Sequence, residues 1–591
     1  MEKKLITDKI KLINFPKLII GFYCILKIIT YSIDFEILGY KYVSHSSYEE
    51  SSLYAFTVKN FNYNIFQSNF HFLDDEKSSG YISSVQYFLV IPANIIYKIS
   101  GDINFTFLIL NLISIVLFYS LLVFFINKFT FNKIRSESYV ISLLLVFYLN
   151  FDFIYNKTTF LISLIILSSF LIISFFKKKY LIFLLFFALL ISQLFFDQYL
   201  FFNEYSTRFP SPAITNSIYL ISLYKIFKIW DHKFFSKQHL VTFAIVCANI
   251  YVYYLNFFVL FTLFFLVCLK TIKNLNKSNF QYLFFALIIL FVFVAPQLYN
   301  SLFFNELNNE ITYKFGIFSE STLRFNQPNF LINILVVLML FASLIINYAS
   351  KKSIFIFFTY IFLSLLITYN INYFSILLFD KIIIPQSFLL YRIVLLLAFI
   401  FMIVILDYYN FFKGKVYKFF NVSIQMFFVM IIFSNFIYSA HIKNIKNDDS
   451  KSVHDIILNT EKTYIVTEDL EKLNYILLNS NNYTFYLNPF LTFISNKELV
   501  KNYVINYKFV SKFKSRIISF ENFCNIYLNN IDADLHTKEK INSIGDGLFT
   551  IGKSSYSYTL NQDWIEDNYD LIFRIFEETE IPDIKNYIFI E

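Results

Sequence analysis

Long apolar runs alternate with short polar ones along most of the chain. A helix needs about 20 apolar residues to cross the hydrocarbon layer, and about 17 sometimes suffice. Runs of this kind lie at 15–33, 103–126, 139–155, 158–176, 180–196 and 213–229. They continue at 240–255, 256–269, 281–299, 329–348, 354–369, 388–405 and 419–438. By the hydropathy criterion they predict about thirteen membrane-spanning helices. The pair at 240–269 is the tightest place, because about thirty residues must make two short crossings there.

The polar segments between the runs orient them. Lysine and arginine gather in the N-terminal arm (Lys3, Lys4, Lys9, Lys11, Lys17), at Lys128, Lys133 and Arg135, at 177–179, and at Lys225, Lys228, Lys233 and Lys237. They gather again at Lys270, Lys273 and Lys277, at Lys351 and Lys352, and at Lys413, Lys415 and Lys418. If the chain starts in the cytoplasm, every one of these segments falls on the cytoplasmic side, as the positive-inside rule requires. The N-terminal arm and first run read as an uncleaved signal-anchor, since no small-residue cleavage site follows them.

This register puts three kinds of segment outside. The first loop, 34–102, is long and contains a semi-apolar stretch at 85–99 with Pro92 inside it, which predicts a helix lying at the membrane interface. Shorter loops cover 197–212, 300–328 and 370–387. From His441 onward, short apolar runs are broken by Asn, Asp and Gly. Strands are predicted at 464–466 and 549–551 and helices at 469–478 and 570–576. The reading is an α-helical polytopic protein of the plasma (inner) membrane. Residues 1–440 form its transmembrane domain, with a cytoplasmic N-terminus, and residues 441–591 form a small extracytoplasmic α/β domain.

Composition strengthens the membrane reading and limits the rest. Of 591 residues 57% are hydrophobic and 16% charged, and the mean hydropathy is +0.55, more apolar surface than a soluble core hides. With 80 Phe and 45 Tyr against 9 Gly and 9 Pro, the usage reads as the drift of an AT-rich genome, so no single Phe, Ile, Asn or Lys is singled out. The net charge of +8 lies between apolar runs rather than on one soluble face, which gives no footprint for nucleic acid. Cys24, Cys247 and Cys268 lie in apolar segments and only Cys524 in the tail, leaving no disulfide there. No Cys/His metal spacing occurs.

Candidate chemistry resides in ionisable residues at the outer face. The first loop offers Asp34 and Glu36 directly after the first run, then His45, Glu49 and Glu50, and later His71, Asp74, Asp75 and Glu76. A partly buried carboxylate there can remove a proton from a hydroxyl acceptor; the alternative for each is a solvated loop. Three arginines stand out, Arg208, Arg324 and Arg392, whose guanidinium groups suit a phosphate or diphosphate or act as snorkelling anchors. Asp407 is read as interfacial, Pro296 as a kink, and Asp152 and Asp197 as solvated turns.

The layout resembles the GT-C class of membrane glycosyltransferases, which use lipid-phosphate-linked sugars. The likeness rests on the inside N-terminus, the acidic first outer loop with its interfacial helix, the uneven spans and the outer C-terminal domain. Two stretches carry it locally, His45-Ser-Ser-Tyr-Glu-Glu-Ser and Arg208-Phe-Pro-Ser-Pro. The resemblance implies a first-loop carboxylate, Glu49 or Glu50 with Asp34 or Glu36 next, as base or metal ligand. It implies Arg208 and Arg392, with Arg324 and His45, as phosphate or substrate contacts. Ser46 and Ser47 stand where the class often has Asp, so a divalent metal is an open element of the site. The expected partners are the bilayer, a polyprenyl-phosphate-linked sugar, and a glycan, lipid or protein acceptor of the envelope. A flippase or other transporter, or a polymerase of lipid-linked glycans, is the alternative. A transporter is expected to show related halves, midplane charges and interrupted helices.

Overall fold

The protein is described by a computed structural model covering residues 87–130, 213–232, 234–272, 277–303, 330–379, 390–409, 463–467, 483–484, 496–524, 568–582 and 587–589, with isolated positions at 20–21, 24–25, 28, 58–59, 61, 70–71, 79–80, 180, 184 and 187. The predicted runs at 139–155, 158–176 and 419–438, and most of 15–33 and 180–196, lie outside these residues. What is described is mostly helical. Three helices are long and apolar enough to cross a membrane, Phe105–Phe129, Ile332–Ser350 and Ser353–Ile371. The chain divides into two units, one of residues 1–46, 107–293 and 326–445, the other of residues 47–106, 294–325 and 446–591.

In the first unit lie most of α2 (Ile103–Phe129), α3 (Ala213–Ile229), α4 (Lys237–Ala248), α5 (Tyr254–Ile272), most of α6 (Lys277–Phe303), α7 (Phe330–Ser350), α8 (Ser353–Phe379) and α9 (Tyr391–Tyr408). Helix α9 is its centre: Leu396, Leu397, Ala398, Ile400, Phe401, Val404 and Ile405 are wholly buried, as expected of a helix apolar all round. Around it the exposure pattern is that of a molecule whose solvent is lipid. Helix α6 turns Phe284, Leu287, Ile288, Phe291 and Val292 outward, with Phe291 66% exposed. Helix α7 turns out Phe341, Leu344, Ile345 and Tyr348, and α2 turns out Ile113, Val116, Leu117 and Phe124. Apolar faces this long are untenable in water and normal against acyl chains, so the protein is a membrane protein.

Because lipid tails are as apolar as leucine, packing and polar contacts hold such helices together. Helices α7 and α8 form an antiparallel hairpin through the Lys351–Lys352 turn. Ser343 meets Thr359 at 2.8 Å, and Asn333 and Asn370 exchange two amide hydrogen bonds at 2.9 and 2.8 Å. One end of the bundle is an aromatic cluster. Phe129 at the end of α2 lies 4.8 Å from Phe227 and 5.8 Å from Phe358, Trp230 lies 5.5 Å from Phe357, and Phe355 lies 5.4 Å from Tyr408. The C-terminal ends of α2, α3 and α9 and the N-terminal end of α8 therefore meet. Lys128 and Lys228 sit there over the rings of Phe124 and Tyr224, at 5.6 and 5.1 Å.

The tight segment at 240–269 resolves differently from its expected division. A capping box between Ser236 and His239 starts α4, which lasts only to Ala248; a 3-10 turn, Asn249–Tyr251, follows before α5 begins at Tyr254. The rings of Phe243 and Phe264 lie 5.0 Å apart, so α5 folds back on α4 as a helical hairpin. A single tilted helix through this region is ruled out.

The second unit holds β1 (Phe70–His71) paired antiparallel with β2 (Ser79–Gly80), and helix α1 (Tyr87–Ser100). Helix α1 matches the predicted 85–99 helix and keeps Pro92. It ends on Gly101, whose φ of +69° and N–H bond to the Tyr97 carbonyl at 2.7 Å form the left-handed C-cap that glycine favours. Asp102 then caps α2, its carboxylate accepting from the Phe105 N–H at 3.2 Å. In the tail, β3 (Tyr464–Val466), β4 (Tyr483–Thr484) and β5 (Tyr587–Phe589) form a parallel sheet in the order β4-β3-β5. Helix α10 (Asn496–Phe513) packs Ile505, Phe509 and Val510 on Val466. Helices α11 (Phe520–Phe523) and α12 (Tyr569–Glu578) join through Phe520, Phe523 and Phe576, with Phe520 5.5 Å from Phe576. The predicted strand at 464–466 and helix at 570–576 are present; 469–478 and 549–551 lie outside the described residues.

Candidate functional site

Of the residues singled out from sequence, Asp34, Glu36, His45, Glu49, Glu50, Arg208 and Arg324 lie outside the described residues, as do Asp74, Asp75 and Glu76. Arg392 is in the first turn of α9. Asp407, at the opposite end of that helix, is 1% exposed. Fifteen residues of helix separate the two by about 22 Å, so α9 carries ionisable groups at both ends and none between.

Among the described residues of the segment 34–102, Lys59 and Asp102 form an ionisable pair. Asn94 of α1 donates to the Val58 carbonyl at 2.6 Å, which fastens residues 58–61 to α1, with Val58 and Phe61 buried. The neighbouring Lys59 is thereby brought to Asp102. Burial lowers the Lys59 ammonium from its usual 10.5 to about 7, and the Asp102 carboxylate opposes that fall. A lysine poised near neutrality can exchange a proton at physiological pH. It passed unnoticed in the sequence because it is one lysine among many, and only the Asn94 bond reveals its setting.

A second polar region lies inside the helix bundle, where α3 meets the tip of the α4–α5 hairpin. Thr215, Tyr219 and Ser222 share one face of α3 at i, i+4 and i+7. Asn249 donates to Ser222 Oγ at 3.0 Å and to the Ile245 carbonyl at 2.8 Å, while Asn256 donates to the Thr215 carbonyl at 3.1 Å. Both asparagines, Tyr219 and Ser222 are wholly buried. Asn249 Oδ1, Asn256 Oδ1 and the Tyr219 hydroxyl have no hydrogen-bond partner. On the far side of the tip, the Tyr251 hydroxyl donates to the Phe293 carbonyl of α6, one turn before Pro296. A further polar step between helices is the Thr368 to Thr262 hydroxyl contact at 3.3 Å.

His239, buried at the start of α4, accepts from the Ser236 N–H through Nδ1 at 3.1 Å and stacks on Phe235 at 4.7 Å. That is the work of a cap. Among the described residues, no three His, Cys, Asp or Glu side chains stand close enough to hold a metal ion. No protein-family model matches the chain, and no curated protein matches it.

Proposed function

We propose that the chain is an inverting membrane glycosyltransferase that moves a sugar from a polyprenyl-phosphate-linked donor to a glycan, lipid or protein of the cell envelope on the outer side. In this reading the chain crosses the plasma membrane about thirteen times and its tail is a small extracytoplasmic α/β domain. Arg208 and Arg392 hold the carrier's phosphate at headgroup level, with Arg324 and His45 as further contacts. A first-loop carboxylate, Glu49 or Glu50 with Asp34 and Glu36 behind them, deprotonates the acceptor hydroxyl. The transferred anomeric carbon exchanges its bond to the phosphate oxygen for one to that hydroxyl oxygen, and the carrier phosphate leaves.

The observation that carries this reading is one-sidedness. The register of basic loops puts the acidic loop, the arginines and the tail on a single face, as chemistry at one membrane surface requires. The aromatic cluster supports that register, because it gathers four helix ends that adjoin basic segments. The fold-back of α5 on α4 supports it too, since the basic loops flanking 240–269 demand an even number of crossings. Lys59 beside Asp102 adds to the first loop a group able to handle protons near neutrality. Replacing Glu49 and Glu50 together by Gln is expected to abolish envelope-glycan product while leaving membrane insertion intact; unchanged glycans sink the assignment.

One feature favours the second reading, a transporter or flippase of lipid-linked glycans: the turn at 249–253 between α4 and α5 is non-α-helical backbone with buried amides, of the kind tolerated where it is buried in protein or lines a cavity, as in transporters. Reconstituted vesicles that translocate a lipid-linked glycan without transferring its sugar would decide for it.

A further inference from the structure

The α4–α5 hairpin presents a problem of solvation. Its first limb, twelve helical residues and one 3-10 turn, is about 24 Å long, short of the roughly 30 Å of hydrocarbon. The tip is nonetheless buried, with Asn249, Leu255 and Asn256 wholly inaccessible. Interrupted backbone at such depth is stable only inside protein or beside a polar cavity. Here the tip is held against α3 by the two asparagine amides and against α6 by Tyr251, so its position is fixed on both sides.

The asparagine orientations are settled by their partners: each Nδ2 faces an acceptor, so each Oδ1 is an acceptor facing no donor. With the Tyr219 hydroxyl, that makes three buried oxygens without partners, and a buried polar group left unmet is destabilising. The groups that could satisfy them are limited by chemistry, since neutral carbonyl-type oxygens attract positive charge. We propose that the tip of this hairpin is a binding site for a bare monovalent cation, sodium or potassium, held by Asn249 Oδ1, Asn256 Oδ1 and the Tyr219 hydroxyl. The proposal is independent of the transferase reading. The cation cross-links α3 to both limbs of the hairpin, so its binding energy appears as stability of the bundle.

The full-length protein in nanodiscs, unfolded by heat in sodium, potassium or choline chloride at matched ionic strength, provides the test. A ligand that binds only the folded state raises the midpoint in a saturable way. Sodium or potassium, but not choline, is expected to do so. Tyr219→Phe removes only the hydroxyl and keeps the packing; it is expected to raise the half-saturating concentration about ten-fold, and Asn256→Leu to remove the response. The same midpoint in all three salts overturns the site and leaves the oxygens to water. A cation response that survives unaltered in both variants overturns the assignment to these residues.

Discussion

Single residues divide into those that hold the fold and those that could carry chemistry, and Lys508 and Lys59 illustrate the two. Lys508 Nζ donates to the Phe576 and Thr579 carbonyls at 2.6 and 2.8 Å and lies 4.7 Å over the Phe576 ring, closing the C-terminal end of α12 as a cation should. Lys508→Met is expected to destabilise the tail by about 1–3 kcal/mol, read as faster hydrogen exchange in α12 and β5 of the intact protein. Lys59 is poised differently. Its folded pKa of about 7 is below the ordinary 10.5, so the folded state binds fewer protons than the unfolded state between those values. The cost of the buried charge is present in full below pH 7 and fades as the pH rises toward 10.5, so local stability of the first loop rises across that window. Acylation of Lys59 should titrate near pH 7 while exposed lysines titrate above 10. Asp102→Asn, which removes the opposing carboxylate, should move that titration lower, and a move upward would contradict the arrangement.

At the scale of elements, hydropathy located helices well and measured them poorly. The run at 213–229 coincides with α3, but the run at 281–299 became Lys277–Phe303. A hydropathy window reports the thickness of the bilayer, whereas Lys277, Asn279 and Asn300 are tolerated in a helix that continues past it. The break at 249–253 was legible only as a shortage of residues, because nothing in a chain rich in asparagine distinguishes Asn249 and Asn256 from the others. Their roles come from the fold-back that sets them against α3. The proposed catalytic and phosphate-binding residues were legible only as residue types, and of them Arg392 alone lies among the described residues, in the first turn of α9. The α7–α8 pair offers a direct measure of polar contacts in this bundle. Asn333→Leu should cost about 0.6–1.7 kcal/mol, and adding Asn370→Leu should recover part of it, because the double variant leaves no orphaned amide. A double-mutant cycle on unfolding midpoints gives the coupling, and full additivity would mean that the two amides do not interact.

For the whole molecule, the decisive quantity is which helix ends share a side. Two independent lines bear on it. Lysines adjoin the ends of α2, α3 and α9 and the start of α8, the pattern the positive-inside rule asks of ends that share one side, and ring contacts bring those same ends together without reference to charge. Two crossings by α4 and α5, or none if they form a re-entrant hairpin, return the chain to the same side, so the register downstream survives either way. Cysteines placed one at a time at Glu49, Lys352, Lys415 and His454, in a chain whose Cys24, Cys247, Cys268 and Cys524 are serine, should therefore fall into two groups. Those at 352 and 415 should react with a membrane-impermeant maleimide only after permeabilisation. Those at 49 and 454 should react in intact cells. A chain labelled from outside at 352, or at 49 and 454 from opposite sides, would separate the acidic loop from the tail and leave no surface on which the proposed transfer could take place.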